Sequence, residues 1–218
     1  MSGLPSSQAS YMSMASSGDG TKLAVANQGG GIYTSSDSGV SWTNQTSAGS
    51  ATWFCITMSS DGSKLAAVVL NGGLFTSGNG GVSWTTQTSG LPATAMWKSI
   101  SSSSDGTRLA AVELSGGVYI SVNSGGSWTQ MRSSPSGWNS IKLSADGSRI
   151  TAVNQAYGIY LSTNGGSSWT QPSSAVVANQ SPWVAITSSS DAKKIVAAVQ
   201  RGSIYISSDS GSSWTTGY

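Results

Sequence analysis

Hydrophobic and polar positions alternate in short runs along this chain, and the runs are bounded by turn residues. The stretch "WFCITMSSDGSKLAAVVLNGGLFTSGNGGVSWTTQ" shows the pattern in full. Trp53 to Met58 reads as a first strand that stops at "SSDG", where Asp-Gly between two apolar runs signals a hairpin. "KLAAVVL" is almost continuously apolar, as expected of a strand covered on both faces. A Gly-Gly turn at Gly72 and Gly73 leads to a third strand, "LFTS", and "SWTTQ" supplies a fourth. Nowhere do apolar residues recur at three, four and seven through a long segment, so no helical reading competes.

The pattern repeats. Trp42, Trp84, Trp128, Trp169 and Trp214 close successive units at spacings of 42, 44, 41 and 45 residues. Tyr11, Trp53, Trp97, Trp138 and Trp183 open them, always 31 residues earlier, so the length variation falls in the connectors. Four short antiparallel strands repeated with a period near 43 residues predict a β-propeller. A lone four-stranded sheet cannot bury both of its faces, whereas sheets packed in a ring can. The expected fold is therefore all-β: one domain over 1–218 forming a single five-bladed propeller of four-stranded antiparallel blades. The blades are expected at about 9–47, 51–89, 95–132, 136–173 and 181–218. "SGLP" from Ser2 repeats "SGLP" from Ser89, so the first residues read as the second half of a connector. The last outer strand is expected to run to Tyr218. The ring is expected to close through packing between blades, with no strand borrowed from the other terminus.

One phrase within the unit raises a chemical question. "SSDSGVSWT" from Ser35 returns as "SGNGGVSWT" from Ser77, "SVNSGGSWT" from Ser121, "STNGGSSWT" from Ser162 and "SSDSGSSWT" from Ser207. It resembles the Asp-box, or BNR repeat, found in the propellers of sialidases, sortilin-type receptors, some glucanases and a photosystem assembly factor. The resemblance covers residues 11 to 214. It implies the propeller fold, with the box as a clip between third and fourth strands, and it implies no single function because those relatives do unrelated things. The residues themselves also favour a clip. Position three is Asp37 and Asp209 in the outer units but Asn79, Asn123 and Asn164 in the middle three. Asparagine keeps the acceptor oxygen a turn needs and loses the charge that catalysis or calcium would need.

Composition narrows the function classes. Charged residues make up 8% of the chain and the net charge is +2, which lacks the clustered basic surface of a nucleic-acid binder. No apolar run reaches 18 residues, so no membrane insertion is expected, and "MSGLPSSQAS" shows no leader. Localisation stays open between cytoplasmic and extracellular. Cys55 is the single cysteine, read as a buried thiol in "WFCITM", and the absence of histidine excludes Cys–His and Ser–His–Asp catalysis. Of eight acids, five sit in the Asp-Gly-type turns and two in the boxes, leaving Glu113. A sialidase-like site, which the resemblance describes as a three-arginine clamp with several carboxylates, finds too few groups here. Arg108 and Arg149, with Lys22, Lys64 and Lys194, occupy one repeated position read as a solvated rim. No metal or cofactor is expected.

Binding has better material. The turns between second and third strands differ from unit to unit: "NQGGG", "VLNGG", "ELSGG", "NQAYG" and "VQRGS". They offer Asn27, Gln28, Asn71, Glu113, Asn154, Gln155, Tyr157, Gln200 and Arg201, on the same face as the opening aromatics Tyr11, Trp53, Trp97, Trp138 and Trp183. Amides beside flat rings suit sugar hydroxyls and C–H faces. The expected function is a non-catalytic, multivalent lectin using this variable face, its partners glycans or glycoconjugates. A scaffold that docks a protein is the alternative, and glycoside hydrolysis fits least well.

Overall fold

The computed structural model describes residues 2–5, 9–133, 135–174, 177 and 182–217. Five antiparallel units follow one another along the chain. The first contains β1 (Ser10–Ser16), β2 (Leu23–Gly30), β3 (Ile32–Ser35) and β4 (Thr43–Asn44). The second contains β5 (Ala51–Met58), β6 (Leu65–Gly72), β7 (Leu74–Ser77) and β8 (Thr85–Gln87). The third contains β9 (Ala95–Ser102), β10 (Leu109–Glu113), β11 (Gly117–Ser121) and β12 (Thr129–Arg132). The fourth has β13 (Trp138–Leu143), β14 (Ile150–Asn154) and β15 (Gly158–Ser162). The fifth has β16 (Trp183–Ser188), β17 (Ile195–Val199), β18 (Ile204–Ser207) and β19 (Thr215–Gly217). No α-helix occurs among the described residues, and no helix is long and apolar enough to cross a membrane.

The fourth unit departs from the expected four strands. Its outer strand shrinks to one bridge between Leu161 and Thr170, closed by two backbone bonds of 2.8 Å. Pro172 follows two residues later and has no N–H to continue the ladder. The expected blade limits at 181 and 218, and the end of the last strand at Tyr218, lie outside the described residues.

Packing between units follows from the covered second strands. Each apolar cluster spans two neighbours: Ile32 with Trp53 and Ile56, Leu74 with Trp97 and Ile100, Val118 with Trp138 and Ile141, Ile159 with Trp183 and Ile186. Each opening tryptophan also meets the third-strand ring of its own unit. Trp53–Phe75, Trp97–Tyr119, Trp138–Tyr160 and Trp183–Tyr205 lie 4.9–5.3 Å apart between centroids. Backbone bonds reinforce the junctions. Gly18 N donates to Ser60 O, Ser60 N to Ser104 O, Ser104 N to Ala145 O and Ala145 N to Ser190 O, so one hairpin turn is tied to the next across four junctions.

Three of the five rim residues do more than face solvent. Lys22, Lys64 and Arg108 each lay their aliphatic stems over the turn glycine of the following unit, at Gly62, Gly106 and Gly147. Lys22 Nζ also donates to Asp61 O at 2.9 Å. These side chains act as staples between units, because a long stem covers apolar surface while its charged head stays wet.

The fifth unit and the first do not repeat this packing among the described residues. Ile32, Leu74 and Val118 are fully buried, whereas the equivalent Ile204 is 43% exposed. Met14 is 78% exposed where Ile56, Ile100, Ile141 and Ile186 are buried. Within the first unit, Ser2 N donates to Val40 O and Trp42 N donates to Ser2 O, so the first "SGLP" runs beside its own unit's outer edge. The second "SGLP" does the same, Trp128 N donating to Ser89 O.

The fifth hairpin turn carries Ala192 where its sisters have glycine, and Ala192 adopts φ 53°. An L-residue with a Cβ is strained in that region. Ala192→Gly is expected to stabilise the protein by about 0.5–1 kcal/mol, read as a higher thermal midpoint. An unchanged or lower midpoint would show that the strain is absent.

Candidate functional site

Five β-bulges build the candidate site. In every unit the pairing register of the first strand shifts just after the opening aromatic, leaving one residue without a partner. Those residues are Met12, Phe54, Lys98, Asn139 and Val184. A bulge turns its extra side chain out of the regular alternation. Here all five line one cavity of about 320 Å3, with Ser13, Cys55, Ser99 and Ser140.

The cavity mixes apolar surface, one amide and one cation. Lys98 Nζ lies 5.0 Å from the centroid of the Phe54 ring. Asn139 is anchored by its Nδ2, which donates to Trp183 O at 2.7 Å. Met12 and Val184 stay well exposed at the open side. Cys55 is half-buried, and Ser13 Oγ, 3.7 Å from its Sγ, also accepts from Ile56 N. Of the nine lining residues only Lys98 carries a charge, and none is a carboxylate.

The opening tryptophans are the main correction to the expected site. Trp53, Trp97, Trp138 and Trp183 are fully buried and cannot present a face to a ligand. Each fills the junction with the preceding unit, as the cluster memberships show. Trp53 Nε1 donates to Gly49 O at 3.4 Å, while the indole N–H groups of Trp97, Trp138 and Trp183 meet no acceptor among the described residues. Tyr11 alone of the five remains accessible, its hydroxyl donating to Pro5 O at 3.2 Å.

Glu113 is likewise structural. It is 6% exposed, and its Oε1 accepts from Ser115 N at 3.1 Å and Met96 N at 3.4 Å. Asn27 and Asn154 hold the same register position and do the same work: Asn27 Oδ1 accepts from Ser10 N, and Asn154 Oδ1 from Ala156 N and Tyr157 N. Burial, and then the negative charge of Glu113, push the Tyr119 hydroxyl above its ordinary pKa.

The rest of the expected set is accessible but dispersed. Gln28 is half-buried where β2 pairs with β5, opposite Thr52. Asn71 and Arg201 sit exposed in their turns with left-handed φ of 57° and 56°. Gln155 and Gln200 are exposed, and their backbones bond Gly137 O and Pro182 O. Tyr157 is 59% exposed, its carbonyl taken by the Gln171 amide. None of these lines the cavity formed by the bulged residues. Sequence reasoning missed the bulged residues because alternation assigns the position after a buried aromatic to some outer face without saying which. The available signal was their diversity, Met, Phe, Lys, Asn and Val at one register position of an otherwise uniform strand.

The repeated phrase forms a clip in every unit. In the first, Ser35 Oγ donates to Asp37 Oδ1 at 2.7 Å, accepts from Gly39 N, and Ser41 N donates to Asp37 Oδ1 at 2.9 Å. With asparagine the frame persists: Ser127 N donates to Asn123 Oδ1 at 2.9 Å. One bond changes direction. The Ser41 hydroxyl donates to Asp37, whereas Asn123 Nδ2 donates to the Ser127 hydroxyl. A serine rotor can do either, so the two residues interchange. Behind these clips a larger cleft of about 580 Å3 lies between the first two units, and a smaller one of about 90 Å3 between the next two. Their linings recur from unit to unit and include the clip serines Ser35 and Ser77, already bonded.

No family model and no curated protein sequence matches the chain. Solved structures do. A GH74 enzyme of Niastella koreensis superposes with a TM-score of 0.72 at 21% identity, over 94% of this chain and 31% of the enzyme. YCF48 bound to D1 peptide gives 0.70 at 15% identity, over 98% of this chain and 68% of that protein. YCF48 from Cyanidioschyzon merolae gives 0.62 at 14% identity, over 98% and 86%. The chain thus spans under a third of the GH74 enzyme it resembles. What these likenesses establish is the fold, an all-β assembly of antiparallel sheets like those of the β-propeller proteins it matches.

Proposed function

We propose that this chain is a non-catalytic binding module whose bulge-lined cavity takes an extended peptide. The observation that carries this is the ring of five bulged side chains, which places apolar surface (Met12, Phe54, Val184) beside one cation and one amide. An extended peptide supplies matching groups: an apolar side chain for Phe54 and Met12, and a carboxylate for Lys98. The lack of a carboxylate in the lining supports binding without hydrolysis, since glycoside hydrolysis needs a pair. A similar structure, YCF48, is bound to a peptide, which makes the proposal natural for this fold. The reading of the clips as Asp-boxes, in a single five-bladed propeller, belongs to the same proposal and rests on their repeated hydrogen bonds.

A peptide-display selection followed by calorimetry tests it. Selected peptides should carry an acidic or C-terminal carboxylate near an apolar residue, and their affinity should fall with salt. Phe54→Ala and Lys98→Gln should each weaken binding several-fold while leaving the thermal midpoint nearly unchanged. Failure to select any peptide, or equal binding by both folded variants, would overturn the reading. The lectin reading stands second, on the exposed Tyr157 and Gln155 of one turn. A glycan array on wild type and on Tyr157→Ala separates the two.

A further inference from the structure

We infer that the chain associates head to tail with a second copy of itself, the fifth unit of one protomer packing on the first unit of the other. The two exposed faces are the opposite halves of one interface that the chain builds four times internally. Ile204 stands where Ile32, Leu74 and Val118 cover the next unit, and Met14 stands where isoleucines receive that cover. Other parts of the junction are vacant in the same place. A Cβ built on Gly20 would meet nothing within 4 Å, although its sisters Gly62, Gly106 and Gly147 lie beneath the basic stem of the unit before. The Ser190 carbonyl ends the backbone relay that begins at Gly18.

Terminal repeats that face water carry polar outer surfaces. These do not: Ile206 joins Ile204 on the fifth unit, and Met14 stands 78% exposed on the first. The first unit also carries the arrangement of an interior one, with Ser2 bonded along Trp42 as Ser89, arriving from a preceding unit, is bonded along Trp128. The chain's two end faces leave each other uncovered, and a second copy carries the complement of each. Because the faces differ, the contact is heterologous and each copy offers one of each kind.

Sedimentation analysis of the full chain, from about 1 to about 100 µM, tests this with two variants. Wild type should associate as concentration rises. Met14→Arg blocks every receiving face and Ile204→Arg every covering face, so each variant alone should stay monomeric. Mixed one to one, they retain a single good junction and should form a dimer that grows no further. Both side chains are exposed, so both variants should melt like dilute wild type. A wild type that remains monomeric throughout would overturn the inference. So would a mixture that fails to pair, or lower melting of the variants in a monomeric wild type, the mark of a ring that closes on itself.

Discussion

Replacing Trp138 with alanine should cost about 3–5 kcal/mol of stability, the range for removing a large aromatic from a packed interior. Trp138 is fully buried between the third and fourth units, against Val118 and Ile141, with its ring 4.9 Å from Tyr160 and 6.4 Å from Trp169. The Arg132 guanidinium lies over the Tyr160 ring at 4.7 Å and helps to hold that neighbour in place. The loss should appear as a much lower denaturation midpoint in chemical unfolding. Phe54→Ala, one of the cavity-lining residues, should show a small fraction of that loss. If Trp138→Ala left the midpoint unchanged while Phe54→Ala lowered it sharply, the assignment of packing and recognition to neighbouring positions would be reversed.

Acid should unfold the protein within a defined window. All seven aspartates have lowered pKa values, by the same cause in two settings. In the hairpin turns, the Ser17 hydroxyl and then the Thr21 backbone N–H hold Asp19 at about 2, and Asp105 and Asp146 are held at about 2 by their equivalents. Asp61 and Asp191 are lowered in the same way. In the clips, Ser41 and Ser213 hold Asp37 and Asp209 at about 2. A carboxylate whose folded pKa is depressed contributes stability above its unfolded value of about 4, and that contribution is lost as pH falls through the folded value. Thermal midpoints should therefore be nearly flat from pH 7 to 5 and fall steeply between about 4 and 2. Asp37→Asn should be silent at pH 7, since three sister clips already use asparagine, and should blunt the acid loss. A midpoint that falls mainly between pH 7 and 5 would contradict this account.

Much of the fold was legible because each unit repeats one short grammar. The Asp-Gly turns and apolar second strands mark the same elements five times, and the structure places β2, β6, β10, β14 and β17 in the covered position. What escaped was anything set by neighbours rather than by the unit itself. Trp53 and its equivalents belong to a ring-forming position, but period-two alternation cannot tell a face turned to the next sheet from one turned to the cavity. A one-residue bulge compounds the ambiguity by reversing the alternation behind it. Lys22 reads as a surface residue on charge, and only the turn glycine of the following unit shows what its stem covers. Ring closure was not legible for a related reason, because four good junctions say nothing about the angle left for a fifth. Of the expected site, Tyr11 and the turn residues Asn71, Gln155, Tyr157, Gln200 and Arg201 are accessible, whereas Glu113 and four tryptophans serve the frame.

The bulge after each opening aromatic has an evolutionary consequence. The ladder passes over that residue, and its side chain lies outside the apolar clusters that join the sheets, so substitutions there are released from the packing demands that keep the rest of the strand uniform. Met12, Phe54, Lys98, Asn139 and Val184 amount to five independently variable letters mounted on one invariant frame. A lineage carrying this architecture can vary the cavity lining at five codons while the clusters that join the sheets stay unchanged. Duplication of a unit adds a further letter along with its own support.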